Sequence, residues 1–291
     1  MKKQTYSMSR RLNRVSTLLA GFVKKVICIH RLSQLRRKMF RDDSLTCQAK
    51  RLSLGEFRVR FTDGPNFYMQ YKDEFIRRIY HFEASRPDPL IIDGGSNTGM
   101  SILYFKHAYP GARIIGFEPD PSIFLLLEEN IATNALKHVR MVNAGLSDAG
   151  VPVRFVPDGS AGGRLGEADN AVEVRMECLS SYLDEPVDFL KLNIEGEELP
   201  VLREAEASGK LRNVRELVLE YHGWANGEQR LGDILNLLDR NGYRYLVHDF
   251  DAETCGASKP PFQMTPGTTW FCLVYARRWD KSGDGLGLNA A

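Results

Sequence analysis

Two acidic residues and the glycines between them carry the clearest chemical signal in the sequence. Asp93 is followed by Gly94, Gly95 and Gly99. A ligand can approach such a loop closely, because glycine has no Cβ atom and tolerates positive φ. Glu118 ends the next apolar segment, and a carboxylate there can accept both hydroxyl protons of a ribose. The pattern therefore predicts a site for a nucleoside-containing ligand.

The glycine spacing narrows the choice of ligand. A dinucleotide fingerprint reads Gly-x-Gly-x-x-Gly, whereas residues 93–99 read Asp-x-Gly-x-x-x-Gly. This spacing favours a nucleoside with an amino-acid tail over a pyrophosphate, and it disfavours a nucleotide-sugar oxidoreductase. The alternative is a structural strand-to-helix turn without a ligand. The acid at position 118 weighs against that alternative, because a structural turn does not need it.

These residues require a strand, a loop, a helix and a second strand to position them. Residues 90–92 form a short apolar run, as expected of a strand buried on both faces. Residues 100–107 predict the following helix, whose first amide groups point into the glycine loop. Residues 114–117 predict the second strand. The order is that of half of a nucleoside-binding α/β domain.

Three segments together resemble one family, the FkbM-type S-adenosylmethionine-dependent methyltransferases. The segments are Ile-Asp-Gly-Gly-Ser-Asn-Thr-Gly at 92–99, Gly-Phe-Glu-Pro-Asp at 116–120 and Lys-Leu-Asn-Ile-Glu-Gly-Glu-Glu at 191–198. The resemblance covers about residues 67–277. It implies an α/β fold of the class I methyltransferase (Rossmann-like) type with a mostly parallel sheet, and O-methylation of a sugar or polyketide hydroxyl. The run at 270–276 predicts an antiparallel last strand.

The resemblance assigns the cofactor, S-adenosyl-L-methionine, to the strand ends. Glu118 is expected to bind the ribose, and the small residues Ala144 and Gly145 leave room for the flat adenine ring. Asp93, Asn97 and the glycine backbone are expected to hold the methionine portion. The predicted cofactor-binding residues are Asp93, Gly94, Gly95, Asn97, Gly99, Glu118, Pro119, Ala144, Gly145 and Asn193.

An alcohol acceptor also requires a base, because a neutral hydroxyl is a poor nucleophile. His222 is the first candidate, since imidazole titrates near neutral pH; an ordinary surface histidine is the alternative. Glu195 and Glu220 are expected to orient that histidine or hold the acceptor. Lys191 is expected to pair with Glu195 across one strand face, for function or as a structural ion pair. These four are the predicted catalytic residues, and no metal is predicted.

Asn193 departs from the family pattern, which usually has an aspartate there. Asparagine keeps the size and an acceptor oxygen but cannot take up a proton. This departure leaves open a second interpretation: a catalytically weak cofactor-binding partner protein tethered to a membrane.

Charge is distributed unevenly along the chain. Residues 1–41 contain twelve Lys or Arg and no acid, which leaves 27 basic against 37 acidic residues in the remainder. Apolar residues at 12, 15, 19, 22, 26 and 29 predict a basic amphipathic helix. Residues 11–40 could thus contact an anionic membrane surface, or pack on the domain or on a partner. An RNA methyltransferase guided by this arm is a weaker alternative, because no aromatic stacking pattern accompanies the charge; nucleic acid is not the expected partner.

The sequence divides into four parts: the basic arm at 1–43, a hairpin and helical cap at 44–89, the cofactor-binding methyltransferase domain at 90–279 and a disordered tail at 280–291. The helical cap, residues 67–82, is expected to cover the cofactor, to shape the acceptor site or simply to add core. The loop at 158–170 is a candidate lid or a plain surface loop. Five scattered cysteines argue against a zinc site or a disulfide framework. The expected location is the cytoplasm, with peripheral contact at the inner face of the membrane.

Overall fold

The structure is a computed structural model that describes residues 50–158, 163–225, 227–248 and 260–278, together with Ser33 and Leu35. The predicted amphipathic arm, apart from those two residues, and the predicted tail lie outside the described residues. No helix within the described part of the chain is long and apolar enough to cross a bilayer.

The described part of the chain contains fourteen strands and five α-helices. The strands are β1 (Lys50–Leu54), β2 (Phe57–Phe61), β3 (Leu90–Gly94), β4 (Arg113–Phe117), β5 (Val139–Val142), β6 (Gly145–Ser147), β7 (Val153–Val156), β8 (Arg164–Leu165), β9 (Val172–Val174), β10 (Met176–Cys178), β11 (Val187–Leu192), β12 (Val214–Gly223), β13 (Tyr243–His248) and β14 (Trp270–Arg278). The α-helices are α1 (Gly64–Tyr71), α2 (Met100–Ala108), α3 (Pro121–Thr133), α4 (Glu198–Ala207) and α5 (Leu231–Arg240).

Seven strands form one central sheet in the order β13-β14-β12-β11-β3-β4-β5. β14 runs antiparallel to both of its neighbours, whereas the pairs from β12 to β5 are parallel. The sequential order thus reverses between β3 and β11, and ligands of open α/β sheets bind at such a reversal. This is the class I methyltransferase sheet, so both the fold class and the antiparallel last strand are confirmed.

The sheet has a hydrophobic core on each face. β3 and β11 are buried along their whole length, which explains their mostly apolar sequences. Successive side chains of a strand point to opposite faces. Accordingly Ile91 packs with Ile102 and Phe105 on one face, and Ile92 packs with Leu202 and others on the second.

A hairpin and a helical cap precede the sheet. β1 and β2 pair antiparallel, and alternate β2 side chains pack against Phe67 and Met100. The helical cap is wound in two ways: the α-helix α1 continues as a π-helix, Lys72–Arg77, which ends at Arg78 with φ of 59°. The predicted helix to residue 82 is therefore too long, because Arg78 takes the left-handed conformation and turns the chain.

The hairpin is fastened to α3 by side-chain amides. Asn130 accepts from the N–H of Arg60 (2.7 Å) and donates to its carbonyl (2.8 Å). Asn134 repeats both bonds with Arg58, one helical turn further on. The Asn130 amide also donates to the Thr98 carbonyl at 2.8 Å. One buried side chain thus connects the hairpin to the glycine loop.

Three local strand predictions need correction. The sequence patterns of 151–156 and 172–178 predict one strand pair around the loop at 158–170, but only β9 pairs with β7, and β10 pairs in parallel with β6. The apolar run at 217–219 predicts a strand that ends at Glu220, but β12 extends to Gly223, so Glu220 and His222 lie within the strand. The pattern at 188–194 predicts a strand to Ile194, whereas β11 ends two residues earlier, at Leu192.

Candidate cofactor and acceptor site

A cavity of about 300 Å³ lies beyond the carboxyl ends of β3, β4, β11 and β12. Small-molecule sites in proteins begin at about this size, and in open α/β sheets they lie at this edge. Nine of the predicted residues line it: Gly95, Asn97, Glu118, Pro119, Gly145, Lys191, Asn193, Glu195 and Glu220.

The glycine loop approaches β11 so closely that a side chain would not fit. A Cβ atom on Gly95, whose φ is +81°, would lie 1.9 Å from the Asn193 carbonyl oxygen. The loop is fixed from the other side by Gly95 and Ser96, whose amides both donate to the carbonyl of Phe117 at 3.1 and 2.8 Å. The loop is thus held rigidly in place as one wall of the cavity.

Glu118 is held in place by backbone donors from both sides. One carboxylate oxygen accepts from the Asn97 amide and the other from the Asp120 amide, both at 2.9 Å. Each oxygen keeps a second lone pair, and the residue lines the cavity although it is only 6% exposed. Burial raises its pKa to about 7, against the effect of the two amides. The geometry suits a pair of neighbouring hydroxyl groups.

Lys191 forms its ion pair with Asp93, not with Glu195. Its ammonium lies 2.9 Å from Asp93 Oδ1 and donates to the carbonyls of Gly94 and Gly95 at 3.1 and 2.6 Å. The expected pair assumed that a strand continues to 195. Because β11 ends at Leu192, the parity of positions 191 and 195 does not apply.

Four predicted cofactor residues lie outside the cavity lining. Asp93 is fully buried, and its Oδ2 accepts from the hydroxyls of Ser96 (3.0 Å) and Ser101 (2.5 Å). Its contribution is to fix the loop and Lys191. Gly94, Gly99 and Ala144 likewise shape the site through packing.

Asn193 bonds to the acid on the neighbouring strand. Its side-chain amide donates to Glu220 Oε2 at 3.1 Å, so the amide nitrogen faces that carboxylate. Its Oδ1 atom is buried without a hydrogen-bond partner. An unpartnered buried acceptor at a cavity wall is available to a donor from a ligand.

The turn after β11 holds Glu195 in an unusual conformation. Glu195 has a φ of 58°, and Glu198 stabilises the turn by accepting from the amides of Ile194 (3.0 Å) and Gly196 (3.1 Å). A non-glycine residue in this region costs about 1 kcal/mol or more, and such residues concentrate at functional sites. Burial, together with the charge of Glu220, raises the pKa of Glu195 to about 8.

His222 lies behind the cavity wall and does not line it. Its Nε2 atom is 3.4 Å from Glu195 and 3.7 Å from Glu220, and the ring stacks on Trp224 at 5.2 Å. Burial lowers the pKa of His222 to about 4, so the ring is neutral at physiological pH. A role as the base therefore has to pass through the Glu195 or Glu220 carboxylate.

Comparison with known proteins identifies the domain. The model of the FkbM methyltransferase domain matches residues 93–245, which is more than half of the chain. The chain belongs to the FkbM methyltransferase family.

Three relatives give the range of this FkbM similarity. Methyltransferase sdnD of Sordaria araneosa is 30% identical over 173 residues, which cover 46% of this chain and 66% of that protein. The 31-O-demethyl-FK506 methyltransferase FkbM of Streptomyces tacrolimicus is 26% identical, over 61% of this chain and 82% of its own. The 2-O-methyltransferase NoeI of Sinorhizobium fredii is 26% identical, over 53% of this chain and 72% of its own length. The chain thus spans slightly less than two thirds of the length of the Sordaria protein.

The helical cap, which precedes the FkbM domain match, contributes residues that sequence reasoning missed. Asp73, Glu74 and Tyr80 line the cavity, and all three are buried. In the sequence, Asp73 and Glu74 are a pair of acids inside an aromatic stretch, which was the available signal. A 3.6-residue helical period does not predict which of these side chains face the cavity, because the π-helix departs from that period.

The cavity of this FkbM chain is strongly acidic. Among the described lining residues, the cations are Lys191 and Arg164, whereas the carboxylates are Asp73, Glu74, Glu118, Asp120, Glu195, Glu197 and Glu220. No group of three or more His, Cys, Asp or Glu within the described ranges is arranged to hold a metal ion.

Proposed function

We propose that the chain is an S-adenosylmethionine-dependent O-methyltransferase that acts on a hydroxyl of a sugar, a polysaccharide or a related metabolite. The single observation that carries the cofactor assignment is Glu118, a cavity-lining carboxylate fixed by two amides with one lone pair free on each oxygen. Family membership agrees with it. The two relatives whose names specify O-methylation, FkbM and NoeI, support a hydroxyl acceptor.

The residues present fit this cofactor along the length of the cavity. Glu118 would bind the ribose hydroxyls, and the side that includes Pro119 and Gly145 would receive the adenine. At the glycine loop, Gly95, which lines the cavity without a side chain, and the unpartnered oxygen of Asn193 would receive the methionine portion, whose ammonium group is a donor. When bound, S-adenosylmethionine supplies an activated methyl group.

The chain itself then has to orient the acceptor, exclude water and take one proton. Glu195 and Glu220 line the cavity, so they are the groups placed to contact an acceptor hydroxyl. In its ionised form, Glu195 accepts the hydroxyl proton on a carboxylate oxygen. His222 is neutral, and its Nε2 lies 3.4 Å from that carboxylate, so it can orient Glu195 or receive the proton in turn.

Calorimetric titration with S-adenosylmethionine, with NAD as the comparison ligand, tests the cofactor. Micromolar binding of S-adenosylmethionine alone supports the proposal, and binding of NAD alone or of neither ligand contradicts it. Transfer of a radiolabelled methyl group to a panel of glycans and glycosylated metabolites then tests the acceptor class. His222→Ala should lower turnover far more than cofactor affinity, and full activity in this variant would remove its role.

The alternative of a catalytically weak partner protein rests on Asn193. Because the Asn193 amide donates to Glu220, an aspartate at 193 would face a second carboxylate. We therefore expect Asn193→Asp to reduce turnover through charge repulsion. A large gain in turnover would instead favour the weak-enzyme interpretation.

A further inference from the structure

Glu74 is a buried acid that the proposed reaction does not use. It lies on the π-helix of the helical cap, faces the cavity and is 6% exposed. Its Oε2 atom has no hydrogen-bond partner among the described residues. The preceding residue, Asp73, differs in this respect, since it forms an ion pair with Arg77 at 2.8 Å. Glu74 is thus a carboxyl group prepared for a partner that the described residues do not supply.

The nearby cation cannot fill that role. The ammonium of Lys191 already donates to the carbonyls of Gly94 and Gly95 at 3.1 and 2.6 Å, and its charge is paired with Asp93, whose Oδ1 lies 2.9 Å away. In addition to this paired group, the cavity wall around Glu74 includes the carboxylate of Glu220. This part of the cavity has an excess of acid, which a cationic ligand would relieve.

The position of Glu74 along the cavity indicates which part of the ligand it meets. The charges of Lys191 and Asp93, which flank the glycine loop, both act on Glu74. Lys191 in turn donates to the carbonyls of Gly94 and Gly95, and its ammonium lies 5.7 Å from the centre of the Tyr80 ring in the helical cap. Glu74 therefore lies over the methionine end of the proposed cofactor site, where S-adenosylmethionine is positively charged at sulfur.

We propose that Glu74 is the counter-charge for the sulfonium group and gives the cavity a preference for the cationic cofactor over the neutral thioether product. This inference rests on the proposed cofactor assignment. S-adenosylhomocysteine has the same adenosine, carboxylate and ammonium groups, so the two ligands differ at Glu74 by the sulfonium charge and the methyl group. A site with this preference releases its product more readily than it releases its cofactor.

Proton linkage supports the assignment. Burial raises the pKa of Glu74 well above its usual value; Lys191 lowers it, and Asp93, Asp73 and Glu220 raise it further. Tyr80 also faces Glu74, and its phenol is neutral. A sulfonium beside Glu74 would lower that pKa and release the proton. Binding of S-adenosylmethionine should therefore release more protons than binding of S-adenosylhomocysteine, and its relative affinity should increase as pH rises.

The test is calorimetric titration of the full chain with S-adenosylmethionine and, separately, with S-adenosylhomocysteine. Glu74→Gln keeps the shape of the side chain and removes its charge. We expect this variant to bind S-adenosylmethionine roughly tenfold or more weakly, because a partly desolvated charge pair is lost. The affinity for S-adenosylhomocysteine should change little. Glu74→Asp should retain the preference. Glu128→Gln is the matched control, because it removes one exposed acid outside the cavity lining.

Three outcomes would overturn the inference. An equal loss for both ligands would place Glu74 against a group that they share, and unchanged affinity for both would remove it from the site. If the wild-type chain binds neither ligand, the proposed function fails and the inference fails with it. If the urea midpoint shows that Glu74→Gln does not fold, the inference is tested by the number of protons that the wild-type chain releases when each ligand binds. Titrations in two buffers of different ionisation enthalpy must then show extra proton release for S-adenosylmethionine.

Discussion

Replacement of Glu118 should weaken cofactor binding by an amount that can be worked out from its contacts. Both carboxylate oxygens already accept an amide, so the remaining lone pairs provide one hydrogen bond to each ribose hydroxyl. A hydrogen bond to a charged group contributes about 1.5–3 kcal/mol, so Glu118→Ala should lose about 3–6 kcal/mol. This corresponds to a roughly 10²- to 10⁴-fold weaker Kd for S-adenosylmethionine.

Glu118→Gln separates the ribose contacts from the support of the loop. The glutamine side chain keeps one acceptor oxygen, but its NH2 group, a donor, then faces one of the two backbone N–H groups. We therefore expect a roughly 10- to 100-fold loss of affinity for S-adenosylmethionine. Calorimetry measures the affinity, and urea unfolding checks that the loop still folds. A control for the contact itself is removal of the 2′-hydroxyl from S-adenosylhomocysteine. This removal should reduce the affinity for Glu118→Gln less than it reduces the affinity for the wild type.

The Glu118 contact also has a pH signature. Its pKa is raised to about 7, and the ionised form accepts the hydroxyl protons. Wild-type affinity should therefore fall as the pH decreases below about 7, whereas the affinity of Glu118→Gln should be flat over that range. An unchanged Kd in both variants, or equal losses for the ribose and deoxyribose ligands, would refute the ribose assignment.

Three further predictions concern the loop, the buried ion pair and the acceptor acid. Gly95→Ala should destabilise the chain by at least about 2 kcal/mol in urea unfolding, because its φ is positive and the added Cβ would meet the Asn193 carbonyl; an unchanged midpoint would contradict the close approach. Lys191→Met should cost about 3–5 kcal/mol by leaving Asp93 buried and unpaired, and Lys191→Met with Asp93→Asn should recover part of that loss. Glu195 has its pKa raised from 4.5 to about 8, so its stabilising contribution is complete below about pH 4.5 and lost as pH rises through 8. Urea unfolding of the ligand-free chain should show this fall, by about 1–3 kcal/mol, and Glu195→Gln should reduce it.

The parts of the site that sequence predicts well depend on local patterns. The apolar run of β3, the glycines and the acid after β4 lie close together in sequence, and the parallel sheet brings their strand ends to one edge. The cavity therefore contains Glu118 and Gly95 as expected. Periodicity and glycine spacing are sufficient there, because few alternative folds satisfy both.

The errors arise where backbone conformation departs from a regular period. The expected pair of Lys191 and Glu195 required a straight strand, but the chain leaves the strand after Leu192 and Glu195 takes a positive φ. Glu74 was missed for a similar reason, since a π-helix shifts which side chains face the cavity. Neither departure has a residue pattern of its own. The sequence also placed His222 in the site, but its edge contact with Phe271, which helps to set it behind the carboxylates, is long-range.

The attachment of the hairpin by Asn130 and Asn134 has a consequence for how the protein opens. The N–H groups of Arg58 and Arg60 are bonded to side chains of α3, not to a neighbouring strand. Because the same Asn130 amide bonds the Thr98 carbonyl, a movement of the glycine loop disturbs the hairpin edge directly. Local opening at β2 is thus coupled to the loop without any rupture of the central sheet. Deuterium uptake at these two amides would report from a distance whether the loop is ordered.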